Sequence, residues 1–333
     1  MTSQRRRIFT DPMLALDRGL GYSSNMHIVR DHQFVRPENR GASVAIGNFD
    51  GVHLGHAHCI DLARGHEAPL GVLTFEPHPR EFFNPDAPPF RLMNAEARAN
   101  RLEKMGVEIL YELPFNRTLS ALDAEDFIRE VVVEGLGLKH LVVGADFCFG
   151  KGRKGTTDML RTFGARYGFD VTVVDLLNSG GVAVSSTAIR DALRSGDPRQ
   201  ARDMLGHWHR IEGPVIHGEK RGRTLGYPTA NMSLDGLHVP KLGVYAVLVE
   251  LRSGPYAGQY HGVASLGVRP MFNGQEPNLE TFIFDFSGDI YGMDMSVGLI
   301  EFLRGEEKFD SLEALIAQMD RDSQMAREIL AAL

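Results

Sequence analysis

The chain has 333 residues, 43% of them hydrophobic and 24% charged, a balance that fits a globular protein with room for two domains of ordinary size. Its formal net charge of -7 gives no electrostatic ground for non-specific binding to nucleic acid or to an anionic membrane, although local loops can still bind small polyanions. The two cysteines, Cys59 and Cys148, stand far apart without metal-ligand spacing, which argues against a disulfide framework and for a reducing compartment.

In chain order, the opening MTSQRRRIFTDPMLALDRGLGYSSN carries Arg5, Arg6 and Arg7. Asp11, Asp17 and Arg18 interrupt the apolar stretch that a twin-arginine signal needs next. Residues 1–25 therefore read as a disordered extension, with Met26 an alternative translation start. No segment is long and apolar enough to span a bilayer, so the expected location is the cytoplasm.

From Met26 the pattern alternates. ASVAIGNF reads as a buried strand, HAHCIDLARGH as a helix, and PLGVLTF as a strand ending at the turn EPHP. SALDAEDFIREVVVEGLG places Leu122, Phe127, Ile128, Val131 and Val132 near one helical face. Strand HLVVGADF, loop CFGKGRKG, helix TDMLRTFGARYG and strand DVTVVDLL follow. Repeated strand–helix–strand order predicts a parallel sheet covered by helices. Ligands bind beyond the carboxyl ends of such strands, where GNFDGVHLGH and GADFCFGKGRKG both fall.

The character changes near Leu205, so 26–205 and 206–333 are the expected domains. YAVLVEL, YHGVASLG, ETFIFDF and MSVGLIEFL, separated by Gly, Pro, Asn and Asp turns, predict an antiparallel barrel or sandwich. The closing segment repeats Leu312, Leu315, Ile316, Met319, Ala326, Ile329 and Leu330 at helical spacing, with Asp310 and Glu313 as a candidate capping box. Trp208, the one tryptophan, lies at the predicted junction and is expected to pack the two halves together.

His53 and His56 stand where a strand gives way to a helix, among Gly47, Gly51 and Gly55. Zinc would use such a pair, but no second pair with suitable spacing lies close by. A plain polar turn explains the glycines and not the imidazoles. A helix N-terminus that binds phosphate, with two imidazoles donating hydrogen bonds as charge develops, accounts for both.

GNFDGVHLGH looks like the signature of HxGH-type nucleotidylyltransferases. With TFEPHPREFF, VVGADFCFGKGRKG and VSSTAIRDAL, it resembles the adenylyltransferase half of bacterial bifunctional riboflavin kinase/FAD synthetases. GEKRGRTLGYPTANM, KLGVYAV, GVASLGVRPMF, LETFIFDF and LRGEEKFDSLEALIAQMDRD resemble the kinase half, so the likeness runs from about Met26 to the C-terminus in the family's order. The resemblance implies a Rossmann-like α/β domain followed by an antiparallel β-barrel with a C-terminal helix. It also implies phosphorylation of riboflavin to FMN with Mg-ATP, then adenylylation of FMN to FAD with release of pyrophosphate. The implied partners are small molecules (riboflavin, FMN and ATP), with no nucleic acid and no membrane, and oligomeric state is left open.

Carried over by residue, the resemblance makes His53 and His56 the groups that stabilise the α-phosphate. Gly47, Asn48, Phe49, Asp50 and Gly51 would line the nucleotide, Ser185, Ser186, Thr187 and Arg190 would clamp phosphate, and Asp146, Phe147 and Phe82 would meet nucleotide or flavin. Phe83 and Phe90 are further candidates for stacking on the flavin ring. In the second half Gly222, Thr229 and Asn231 would hold ATP, the latter two also Mg2+, and Glu280 would be the general base on the ribityl hydroxyl. Cys148 and Ala188 stand where many relatives carry Arg, with Lys151, Arg153 and Lys154 as nearby compensating charge, and Met271 replaces a frequent Thr. These departures keep open a chain with one activity and a second, flavin-binding domain. A flavin-binding or regulatory protein without turnover is the other rival, although a binder needs no general base.

Overall fold

The computed structural model describes residues 26–175, 178–179, 182–218, 226–271 and 274–333. Strands β1 (His27–Val29), β2 (Ser43–Ile46), β3 (Leu70–Glu76), β4 (Ile109–Pro114), β5 (His140–Gly144) and β6 (Asp170–Val174) form a parallel sheet in the order β1-β4-β3-β2-β5-β6. Helices cover both faces, so the inner strands read as continuous apolar runs: every residue of β2 is buried. From β2 the chain builds β3 and β4 on one side and later β5 and β6 on the other. That reversal puts the topological switch point, where such sheets bind ligands, at the carboxyl ends of β2 and β5.

The connecting helices are α1 (Leu54–Arg64), α2 (Pro79–Phe83), α3 (Ala95–Lys104), α4 (Arg117–Ala121), α5 (Ala124–Asp126), α6 (Thr157–Tyr167), α7 (Ser186–Ser195) and α8 (Pro198–Leu205). Each of the eight starts with a side chain that accepts a backbone N–H, from His53, His78, Asn94, Asn116, Asp123, Thr156, Ser185 and Asp197 in turn. Gly168, Gly196 and Gly206 end α6, α7 and α8 in the left-handed conformation. The segment expected as one helix over 120–137 is instead broken. Leu122 has extended backbone at the end of α4, and α5 runs into a π-helical stretch, Phe127–Gly135. Its packed face is Phe127, Ile128, Val131 and Val132, and the half-buried Leu122 packs against the same core from outside the helix. A short hairpin, β7 (Asn178–Ser179) and β8 (Val182–Ala183), precedes α7.

Strands β9 (Arg210–Pro214), β10 (Ala230–Ser233), β11 (Gly243–Leu251), β12 (Gly258–Met271), β13 (Gly274–Ile283) and β14 (Asp294–Arg304) pair antiparallel in the order β10-β13-β12-β11-β14-β9. A bridge between Ile216, just past β9, and Asn231 of β10 brings the two edges together, giving a nearly closed barrel. Alternation decides what fills it. Tyr245, Val247 and Val249 point inward to Leu266, Leu279 and Leu299, whereas Val244 and Ala246 lie outside beneath Ala326 and Leu330 of α9 (Leu312–Ala331). The cap of α9 differs from expectation by one residue. Ser311 accepts the Ala314 N–H, so Asp310 and Glu313 form no capping box.

The chain passes from α8 into β9 within five residues. Trp208 packs with Val244, Ala246, Ile300 and Leu330, and the Arg202 guanidinium of α8 lies 4.8 Å from its ring centre. A bridge between Arg91 and Leu237 joins the two halves again, where the His238 N–H donates to the Arg91 carbonyl at 2.7 Å.

Candidate active sites

The first candidate site lies at the switch point, on the turn from β2 to α1. His53 is the N-cap of α1, and its Nδ1 accepts the His56 backbone N–H at 3.3 Å. A neutral ring capped in this way carries its proton on Nε2. The two imidazoles stack with centroids 3.6 Å apart and planes 12° apart, and Phe49 lies 4.9 Å from His56. Among the described residues Nδ1 of His56 is buried without a hydrogen-bond partner. Burial holds His53 down to about 4 against a weaker pull from Asp146, and burial beside His53 holds His56 well below the usual histidine range. Both rings are therefore neutral hydrogen-bonding groups at neutral pH, set in a helix N-terminus whose free N–H groups favour an anion.

The turn that carries them is strained. Phe49 and Val52 have φ of 51° and 42°, which side-chain-bearing residues rarely adopt, and Gly51 has φ 88°. Contacts on several sides hold it. Asp50 accepts the Leu92 N–H at 2.7 Å and the Arg190 guanidinium at 2.6 Å, Ser186 Oγ donates to the Asp50 carbonyl, and Thr74 Oγ1 donates to the Asn48 carbonyl. Gly47 donates to the Leu73 carbonyl, so the turn starts from the β3 edge.

Several sequence candidates thus act on the turn itself. Arg190 donates to Asp50 and to the Phe90 carbonyl and lies over the Phe90 ring, 12% exposed, so its guanidinium ties the turn to α7. Asp50 is its buried partner. Ser185 is the N-cap of α7, whereas Asn48 and Thr187 have exposed side chains. Asp146 is exposed just past β5, and its carbonyl accepts the Cys148 thiol. Lys151, Arg153 and Lys154 are exposed on the following turn.

Phe147 and Phe82 sit at the two ends of one aromatic series. Phe82, Phe115, Phe75, Phe127, Phe149 and Phe147 follow with successive centroid separations of 5.3, 5.7, 6.4, 5.9 and 5.7 Å. Phe83 is exposed at the Phe82 end, while Phe90 is buried against His78 and Arg80.

A buried charge network at the ends of β3 and β4 escaped sequence reasoning. Glu76 receives Arg91 at 2.7 and 2.9 Å and Arg98 at 2.9 Å, and Arg98 reaches Glu112 at 3.0 Å. The one available signal was a carboxylate inside the apolar strand ILYELP. Arg91 lies between this network and the Asp50 turn through Leu92, so the network stiffens the rim of the site.

The second candidate site lies where β10 and β13 pair, with Asn231 opposite Glu280. Thr229 Oγ1 donates to Glu280 at 3.4 Å, Asn231 Nδ2 donates to the Thr229 carbonyl at 3.3 Å, and Asn278 Nδ2 donates to Asn231 Oδ1 at 3.2 Å. Glu280 is half-buried rather than an exposed strand carboxylate. Asn231 is 3% exposed, and Gly218 approaches it so closely that any Cβ there would overlap the amide. The Thr229 hydroxyl and the Asn231 amide oxygen are hard, neutral oxygen donors, which fits a Mg2+ that arrives with nucleotide phosphates. Gly222 and the Met271 side chain lie outside the described residues.

Two family models match the chain, FAD synthetase over residues 35–188 and riboflavin kinase over residues 205–330. A bifunctional riboflavin kinase/FMN adenylyltransferase of Pseudomonas fluorescens is 41% identical over 92% of this chain and 98% of its own length. The enzyme of that description from Escherichia coli K12 is 39% identical over 91% of this chain and 97% of its own. A crystal structure of a Streptococcus pneumoniae protein described as a macrolide-efflux protein superposes with a TM-score of 0.78 at 33% identity, covering 91% of this chain and 99% of that one. Among the described residues, no helix is long and apolar enough to cross a membrane. With both family models in sequence order and relatives matched over nearly their full length, the chain belongs to the bifunctional riboflavin kinase/FMN adenylyltransferases.

Proposed function

We propose that the two activities of the family run at two separate sites of this chain: riboflavin phosphorylation at Thr229, Asn231 and Glu280, and FMN adenylylation at His53 and His56. The observation that carries the reading is the pair of neutral, stacked imidazoles at the α1 N-terminus, apart from the one strand carboxylate paired with the Thr229 hydroxyl. In the adenylyl step an FMN phosphate oxygen attacks the α-phosphorus of ATP, the bond to the bridging oxygen breaks, and pyrophosphate leaves. Nε2–H of His53 and an N–H of His56 donate to the oxygens on which charge grows, and no covalent enzyme intermediate is required.

In the kinase step Glu280 accepts the proton of the ribityl 5′-hydroxyl as that oxygen attacks the γ-phosphorus, and ADP leaves. Thr229 Oγ1 and Asn231 Oδ1 would hold Mg2+, which when bound neutralises charge on the transferring phosphoryl group. Phe82 and Phe147, with the ring series between them, supply flat faces for an isoalloxazine. The thiols of Cys59 and Cys148 are free and half-buried, which supports a reducing, cytoplasmic setting.

Incubation with riboflavin, ATP and Mg2+, followed by chromatographic separation of flavins over time, tests the reading. FMN rising before FAD is the expected result. Bound flavin without conversion would overturn it.

A further inference from the structure

The catalytic turn is backed by the connector between the two halves. A Cβ built on Gly51 would lie 3.2 Å from Leu205 Cδ2, and one built on Gly206 would lie 2.5 Å from Leu54 Cδ2. Leu205 and Gly206 thus press on the chain on both sides of His53. The next residue, His207, places Nε2 3.1 Å from the Gly51 carbonyl and Nδ1 2.9 Å from its neighbour's carbonyl, that of Trp208.

We infer that His207 is a positioning residue for adenylyl transfer: its Nε2–H holds the Gly51 carbonyl and so fixes the strained turn that aims His53 and His56. Three observations carry this. Phe49, Gly51 and Val52 all have positive φ, so the turn persists only where its surroundings define it. Asp50 and Asn48 are tied down from the α7 and β3 sides, and His207 supplies the hydrogen bond from the α8 side. Both ring nitrogens face carbonyl oxygens, and a neutral imidazole has one proton, so the choice between Gly51 and Trp208 is a question of tautomer that side-chain length can answer. Glutamine places its amide nitrogen near the position of Nε2, and asparagine near that of Nδ1.

The inference rests on His53 and His56 acting in adenylyl transfer, and it is tested in the full-length chain with both activities measured. In His207→Leu, kcat for FMN adenylylation should fall by about 10- to 100-fold, with KM for ATP and FMN within about twofold, because the loss is one of aim. Riboflavin phosphorylation should stay at the parent rate. His207→Gln should restore most of kcat, and His207→Asn should not. An unchanged kcat in His207→Leu overturns the inference, as does a change in KM alone, an equal loss of both activities, or rescue by Asn and not by Gln. Failure of the site reading is separable, since it would show as full adenylylation activity in a His53→Asn variant.

Discussion

His53 Nδ1 accepts the His56 backbone N–H at 3.3 Å while the two rings stack 3.6 Å apart. One side chain therefore starts the helix, selects its own tautomer and supports the second imidazole. Asparagine is a better helix cap than histidine but places no donor where Nε2 stands. His53→Asn should keep the melting temperature within a few degrees while lowering kcat for adenylylation by about 100- to 1,000-fold. Retained turnover in a folded His53→Asn variant would remove His53 from the chemistry.

The ion pair of Asp50 and Arg190, 5% and 12% exposed, predicts a stability effect. Arg190→Met leaves a buried carboxylate without its counter-ion, at a cost of about 3–5 kcal/mol. The double change with Asp50→Asn should cost less than the sum of the single changes. Urea denaturation of the three variants measures this. If Arg190→Met left the denaturation midpoint unchanged and raised KM for ATP, Arg190 would be a phosphate clamp after all.

Acid should destabilise the fold over a defined window. Burial is the leading cause that holds His53, His78, His207 and His238 down to about 4 and His209 to about 3, from 6.5 when unfolded. Between these values the unfolded chain binds protons that the folded chain refuses, so unfolding gains favour as pH falls. Stability should be level with respect to these groups above about pH 7 and drop steeply from pH 6.5 toward 4. Denaturation midpoints at pH 7.5, 6 and 5 test this. A midpoint independent of pH over that range would show that these rings are not buried as neutral groups.

How much of this was legible depended on the range over which each feature is encoded. The apolar run VAI, the glycines after it and the two imidazoles sit within thirteen residues, Val44 to His56, so the strand, the turn and the helix start could all be read together. YAVLVEL was legible as a strand, but not which side faces inward, because Tyr245 and Val247 inside the barrel and Ala246 beneath α9 are all apolar. The role of Arg190 was not legible. The residues it engages, Asp50 and Phe90, lie 140 and 100 positions away, and no local pattern announces those contacts. The break at Leu122 was hidden because its apolar neighbours keep helical spacing across it. The network of Glu76, Arg91, Arg98 and Glu112 joins residues up to 36 positions apart, and in the sequence Arg98 is one charge among several in AEARANRLEK.

If two separate sites run the two reactions, a reciprocal pair of variants separates them. Glu280→Gln and His53→Asn would each be incubated with ATP and Mg2+, once with riboflavin and once with FMN, and the flavins separated. Glu280→Gln should make no FMN from riboflavin yet convert supplied FMN to FAD. His53→Asn should accumulate FMN from riboflavin and stop there. Loss of both reactions in either folded variant would contradict the two-site assignment.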